Sequence, residues 1–265
     1  MKGTGNNAKG ISAGYGSRAA AMLFFRLLPC SLFLFGCSSA PQPAASRPDS
    51  VRVEWLGHNC FLVTSGFGVS VLIDPYETKY LDYPTRSNLR PDVILISSEQ
   101  PQVSNAELAA NSPQVFRDRA ALGRFSSRGV TFLGVSTADA SAEEPNVAFV
   151  WRMDGIVFCH LGLPAGPLST EVAAEIGRVD VLFLPVGNPL RLTDAVRSEM
   201  VAQLSPRVVV PMSYANARTT RLGFASPDSW LATQRLPVKR LDNSAFTISK
   251  KSLPAQPIVI MPRVP

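Results

Sequence analysis

Two histidines, His58 and His160, are the whole imidazole content of this 265-residue chain. Around them stand a few other groups able to do chemistry: the carboxylates Asp74, Glu99 and Asp139, the thiols Cys60 and Cys159, the hydroxyls Ser98 and Ser213, and the phenol Tyr214. Nucleophilic catalysis needs a hydroxyl or thiol with a base in hydrogen-bond reach. Ser98 or Ser213 beside His160 meets that need by residue type, but no Gly-x-Ser-x-Gly elbow accompanies either. His58, Cys60, Cys159 and His160 are the right donors for a single ion. Neighbours on a strand point to opposite faces, however, so Cys159 and His160 cannot both reach it without distortion. Two readings remain for the group. Either His58, Asp74, Glu99, Asp139, His160 and Tyr214 line a polar, metal-free pocket, or the histidines are structural and hydrogen-bonded near strand ends.

From Val51 onward the chain is a series of short apolar runs broken by Gly, Pro and Asp. The pattern predicts strands at 51–55, 60–64, 69–74, 93–97, 130–135, 147–153, 156–161, 181–186 and 208–212. Thr64-Ser-Gly-Phe-Gly68 and Met153-Asp-Gly155 read as hairpin turns. Helices are predicted at 116–125, 169–176, 193–204 and 227–235, with Ser169 and Asp194 as N-caps. The runs Val93-Ile-Leu-Ile96 and Val181-Leu-Phe-Leu184 are apolar on both faces, as covered central strands must be. Antiparallel meanders alternate with strand–helix units in both halves, so two stacked mixed sheets with helices outside are expected. Asp74, in Ile73-Asp-Pro75, stands at a strand end where its carboxylate can cap backbone N–H groups. Trp55, Phe61 and Leu62 read as core.

The sequence carries 26 basic and 20 acidic residues. Four of the basic ones (Lys2, Lys9, Arg18, Arg26) fall in residues 1–36, which contain no acid, so the rest holds 22 against 20. No run of like charge and no basic helix stripe exists, which excludes nucleic acid as a partner. Met22 to Gly36 is apolar but too short for a permanent spanning helix. A basic start, an apolar stretch and small residues at the cut mark a secretory signal. Leu34-Phe-Gly-Cys37 resembles a bacterial lipobox, which implies acylation of Cys37. An uncleaved anchor and cleavage near Ala40 are the alternatives, and Met22 is a second candidate start. Residues 37–50, rich in Pro, Ala and Ser, read as a linker. The expected protein is lipid-anchored in a bacterial cell envelope, on the periplasmic side if two membranes exist, and Ser38 resembles the residue that permits outer-membrane sorting. Cys60 and Cys159 lie in apolar runs and read as buried free thiols, with pairing as the alternative.

Val53-Glu-Trp-Leu-Gly-His-Asn-Cys-Phe-Leu-Val63 and Val71-Leu-Ile-Asp-Pro75 resemble the metallo-β-lactamase superfamily, in its branch of lactonase-like proteins related to ascorbate-phosphate lactonase. The resemblance runs on through Pro91–Ser97, His160-Leu-Gly162, Ile176–Gly187 and Val210–Tyr214, covering about residues 51–215 in order. It implies a four-layer αββα sandwich (an α/β fold of two mixed β-sheets with helices on the outer faces) as one domain over 51–265. It also implies two metal ions that activate water, which takes several imidazoles and carboxylates converging at about 2.0–2.2 Å.

Those ligands are missing here. The family's Ser-His-x-His-x-Asp-His run reads Ser97-Ser98-Glu99-Gln100-Pro101-Gln102-Val103, so Ser98, Gln100, Gln102 and Val103 replace four ligands. The next histidine position is Ala138, the bridging aspartate is Leu163 and the last histidine is Ser213. Neutral amide and hydroxyl oxygens are poor ligands for zinc. Without a bound Lewis acid, water keeps its pKa of about 15.7. No metal and no cofactor is expected. The function expected is non-catalytic binding of a small molecule or an envelope partner. A hydrolase with a metal-independent site, or a structural protein with a filled cleft, is the rival.

Overall fold

A computed structural model describes residues 49–84, 86–137 and 146–265. The expected signal (1–36), Cys37, the linker up to residue 48, and Ala138 and Asp139 lie outside the described residues. Among the described residues no helix is long and apolar enough to cross a membrane.

The first six-stranded sheet contains β1 (Ser50–Gly57), β2 (Cys60–Thr64), β3 (Ser70–Ile73), β4 (Val93–Leu95) and β5 (Gln114–Phe116), with β13 (Ala245–Ser249) on the far edge of β1. The eight-stranded sheet has β6 (Gly123–Ser127), β7 (Val130–Ser136), β8 (Val147–Met153), β9 (Ile156–His160), β10 (Val181–Pro185), β11 (Val208–Met212), β12 (Val238–Arg240) and β14 (Ile258–Met261), in the order β12-β14-β11-β10-β9-β8-β7-β6. Both sheets are mixed: antiparallel from β1 to β3 and from β6 to β9, parallel from β3 to β5 and from β9 to β11. This is the α/β sandwich the family resemblance implies.

Alternation along each strand divides its side chains between two layers. Val51, Val53, Trp55, Phe61, Val63, Val71 and Ile73 face the larger sheet, whereas Leu56, Cys60, Leu72, Ile94 and Ile96 face outward. Over the larger sheet lie α1 (Thr170–Ile176), α2 (Asp194–Leu204) and α3 (Pro227–Thr233), burying Ile176, Met200, Leu204 and Trp230. The outer face of the smaller sheet is covered mainly by irregular chain, through Tyr76, Leu81, Tyr83 and Leu89. Helix on that side is limited to the 3₁₀ turns Ala106–Leu108 and Thr220–Leu222, which pack Ala106, Leu108 and Leu222 on this cluster.

Ser169 caps α1 through its hydroxyl, as expected. The cap of α2 is Thr193, not Asp194: Thr193 is extended and accepts from the Val196 N–H, while Asp194 occupies the first turn and pairs with Arg197. The helix expected at 116–125 is absent. Phe116 ends β5, a short 3₁₀ turn spans Asp118–Ala121, and Phe125 lies in β6. Phe116 and Phe125 stack at 4.1 Å across this corner, so an apolar spacing that suits a helix is used between strands. Cys60 points out of the smaller sheet and Cys159 lies in the other core cluster, both as free thiols. Those separate positions also rule out one ion shared by both.

Candidate functional site

The site lies where the β1–β2 turn and the C-terminal ends of β3 and β4 meet the C-terminal ends of β9, β10 and β11. Open α/β sheets offer ligand crevices beyond such strand ends. His58 and Asn59 are the two residues of the turn between β1 and β2. Backbone bonds clamp the two sheets here: the Ser213 N–H donates to the His58 carbonyl (3.3 Å) and the Val147 N–H to the Ser97 carbonyl (2.8 Å). His58 (φ 52°), Asp74 (φ 47°) and Ser213 (φ 54°) all adopt the left-handed region. Side-chained residues held there cost of order 1–3 kcal/mol each and cluster at functional sites. Gly187 lets the β10 end approach the β11 end, since a Cβ there would meet the Ser213 carbonyl oxygen at 2.1 Å.

Beneath the crevice runs a buried polar network. The Asp74 carboxylate accepts from the Ser97 N–H (2.7 Å), the Ser97 hydroxyl (2.7 Å) and the Asn59 amide (3.2 Å). Three donors aimed at one group favour its charged form, while burial pushes its pKa up, and the net shift is upward. His160 Nδ1 accepts from the Gly162 N–H (3.2 Å), so the proton is on Nε2, which donates to the Asn59 carbonyl (3.0 Å). Burial lowers the His160 pKa, although Asp74 at 3.8 Å raises it. The ring is therefore neutral at pH 7. Asn59 ties the network together, accepting from the Ser213 hydroxyl and donating to Asp74 and the Gly162 carbonyl. Asn146 donates to the Leu161 carbonyl (2.8 Å) and accepts from the Leu163 N–H (2.6 Å).

Above this floor is a cavity of about 60 Å³. Gln100, Gln102, Leu163 and Ser213 line it, so four of the seven positions of lost ligands do surround a space. His58 lines it too, 1% exposed, with its ring stacked on Phe224 at 5.4 Å. Both ring nitrogens of His58 are buried without a hydrogen-bond partner. Burial, and secondarily His160, pushes its pKa down to about 3. Asn188, Arg191 and Leu192, from the segment between β10 and α2, complete the wall with Arg197 of α2, Pro164 and Pro185.

The other residues expected around the cleft lie elsewhere. Asp74 and His160 belong to the floor, their polar atoms already engaged. Glu99 turns away to form an ion pair with Arg117. Tyr214 packs its ring on Trp55 at 5.3 Å in the core. Ser98 and Val103 are buried outside the cavity wall. The serine–histidine pair that residue types alone would allow does not form either, because Ser213 donates to Asn59 and both nitrogens of His160 are bound to backbone. Asn59, Asn146, Arg191 and Phe224 were not legible as site residues. Only the place of Asn59, beside His58 in the Gly-His-Asn-Cys run, offered a signal.

The donors do not fit a metal ion. The described lining presents one imidazole, three carboxamides and one hydroxyl, and among the described residues no three His, Cys, Asp or Glu side chains cluster. A structural or catalytic zinc takes at least three imidazole, thiolate or carboxylate ligands.

Residues 52–213 match the family described as the beta-lactamase superfamily domain. A UPF0173 metal-dependent hydrolase of Archaeoglobus fulgidus is 24% identical over 194 residues, covering 62% of this chain and 83% of that protein. One from Methanobrevibacter smithii is 24% identical over 197 residues, covering 62% and 82%. Among solved structures, a Thermotoga maritima protein of the metallo-beta-lactamase superfamily superposes with a TM-score of 0.65 at 24% identity, covering 80% of this chain and 97% of that one. Igni18, a metallo hydrolase from Ignicoccus hospitalis, gives 0.51 at 19% identity, covering 68% and 88%. Sheet order, strand-end site and a family match over more than half its length together make this chain a member of the metallo-β-lactamase-fold superfamily.

Proposed function

We propose that the protein is a lipid-anchored member of the superfamily whose cleft binds a small molecule without a metal ion. The observation that carries this reading is the 60 Å³ cavity left among Gln100, Gln102, Leu163 and Ser213, with the unpartnered His58 ring in its wall. A buried donor or acceptor without a partner costs about 1–3 kcal/mol. A ligand that bonds His58 recovers that energy on binding. A filled, purely structural cleft would have its polar atoms paired or replaced by packed side chains, and the cavity speaks against it.

Metal content and a hydrolase screen of the purified protein test the proposal. Substoichiometric zinc and manganese, with no turnover, are expected. One metal or more per chain, or turnover that a chelator abolishes, overturns it. The anchor has its own test: labelled palmitate enters the wild type and not Cys37→Ala, and equal labelling of both removes the lipid anchor from the proposal.

A second reading is hydrolysis in the same cleft, favoured by the relatives named metal-dependent hydrolases. On this reading His58→Ala and Ser213→Ala abolish a measurable turnover while the fold survives.

A further inference from the structure

We propose that the cavity is an anion site, taking the carboxylate of a small organic acid between the Arg191 guanidinium at its mouth and the His58 ring in its wall. This rests on the small-molecule reading of the same cavity and adds the charge and size of the ligand.

The charge follows from the lining. Two guanidiniums and no carboxylate of the described residues face the space. Arg197 is buried and already committed: it pairs with Asp194 at 2.5 Å and donates to the Pro185 and Asn188 carbonyls at 3.0 and 2.9 Å. Arg191 is exposed, and the bond described for it runs from Nη1 to the Leu163 carbonyl at 3.0 Å. A guanidinium has five N–H donors. No carboxylate of the described residues stands within 4 Å of Arg191. Among the described residues nothing neutralises its charge at the mouth, which favours an incoming anion over a cation.

The wall supplies matching donors. A neutral His58 ring has one N–H, which no group of the described residues accepts. Gln102 donates an amide N–H to the Gln100 oxygen (2.8 Å), and that bond does not use the Gln100 amide N–H groups. A carboxylate, with two oxygens and about four lone-pair sites, can accept from both the wall and Arg191. Leu163, Leu192 and Phe224 form an apolar side for the carbon atoms.

The volume limits the size. The cavity of about 60 Å³ is well under the roughly 150 Å³ that holds benzene, so it takes a group of a few non-hydrogen atoms, such as a carboxylate. Longer acids must extend through the mouth at Arg191.

The test titrates carbon-13 acetate into the purified chain at constant ionic strength. Acetamide, its neutral isostere, and a set of small neutral fragments are run in parallel. Saturable binding of acetate about tenfold tighter than acetamide is expected. Arg191→Gln, at an exposed position, lowers acetate affinity about tenfold and removes the preference. Leu163→Trp, checked for folding by its thermal transition, fills the cavity and removes binding. Equal affinity for acetate and acetamide, or an unchanged Arg191→Gln, overturns the anion assignment and leaves the small-molecule reading standing. Neutral fragments binding while acetate does not has the same meaning. Acetate binding that survives Leu163→Trp overturns the location, and no saturable binding by any probe overturns both readings.

Discussion

The two histidines lie in adjoining regions and are buried to the same degree, yet their surroundings are opposite. His160, in the floor, has both ring nitrogens bound to backbone groups of Asn59 and Gly162. His58, in the cavity wall, has neither nitrogen bound. The floor is a closed account of donors and acceptors, with Asp74, Asn59, Ser97 and Asn146 serving one another. The wall leaves polar atoms facing space. Burial with every partner present is how a structural polar group is kept, whereas burial without partners points to a missing ligand. The two regions therefore differ within one cleft: the floor holds the strand ends in their left-handed turns, and the wall carries the proposed ligand site.

Breaking the floor should have the largest effect. Asp74→Ala strands the Ser97 N–H and hydroxyl and the Asn59 amide inside the protein, so urea unfolding should show a loss of about 3–5 kcal/mol. A loss under about 1 kcal/mol would show that the network does not act as a unit.

Acid should act through the wall. The His58 pKa lies near 6.5 when the chain is unfolded and at about 3 when folded. Between those values the unfolded chain binds the proton and the folded chain does not. Stability is therefore intact above pH 6.5 and falls as the pH drops towards 3, by up to about 1.4 kcal/mol per pH unit from this group. His160 adds in the same sense, because burial lowers its pKa too. Urea unfolding from pH 7 to 5 should show a shallower slope for His58→Phe than for the wild type. Parallel slopes would remove His58 as the titrating group.

At neutral pH the same His58→Phe variant should change stability by no more than about 1 kcal/mol, because it replaces unpartnered polar atoms with an apolar ring of similar shape. That contrast with Asp74→Ala separates wall from floor. The smallest effect belongs to Glu99, which belongs to neither region. Its ion pair with Arg117 is partly exposed, and Glu99→Gln should cost about 0–1 kcal/mol by thermal unfolding.

Most strands from β1 to β11 were legible because one-sided or two-sided burial writes itself into the order of apolar residues. The corner at 116–125 and the three C-terminal strands were not. At 116–125, Phe116 and Phe125 pack on each other across a corner, and an apolar spacing alone does not say whether the chain between them coils or turns. β13 pairs with β1 across some two hundred residues, Ser249 opposite Ser50. β12 and β14 are short, the first following Pro237 and the second lying between Pro257 and Pro262, so their strand character comes from neighbours on the larger sheet. Within the site, His58 and the replaced positions Gln100, Gln102, Leu163 and Ser213 were legible through their order along the family motifs. Arg191 and Phe224 were not, because they arrive on connecting segments whose composition carries no periodicity.

The sequence by itself determined the family, the paired-sheet architecture and the loss of metal ligands, because strand patterns and ligand identities are properties of residue type and order. Only the tertiary structure decided which polar residues share a space. Asp74, Glu99, His160 and Tyr214 all stand near strand ends in sequence. The direction each side chain takes there depends on the left-handed turns at 58, 74 and 213 and on which partner is within about 3 Å. Those are facts of packing across two sheets, and they separate the histidine whose ring has no described partner from the one that is part of the frame.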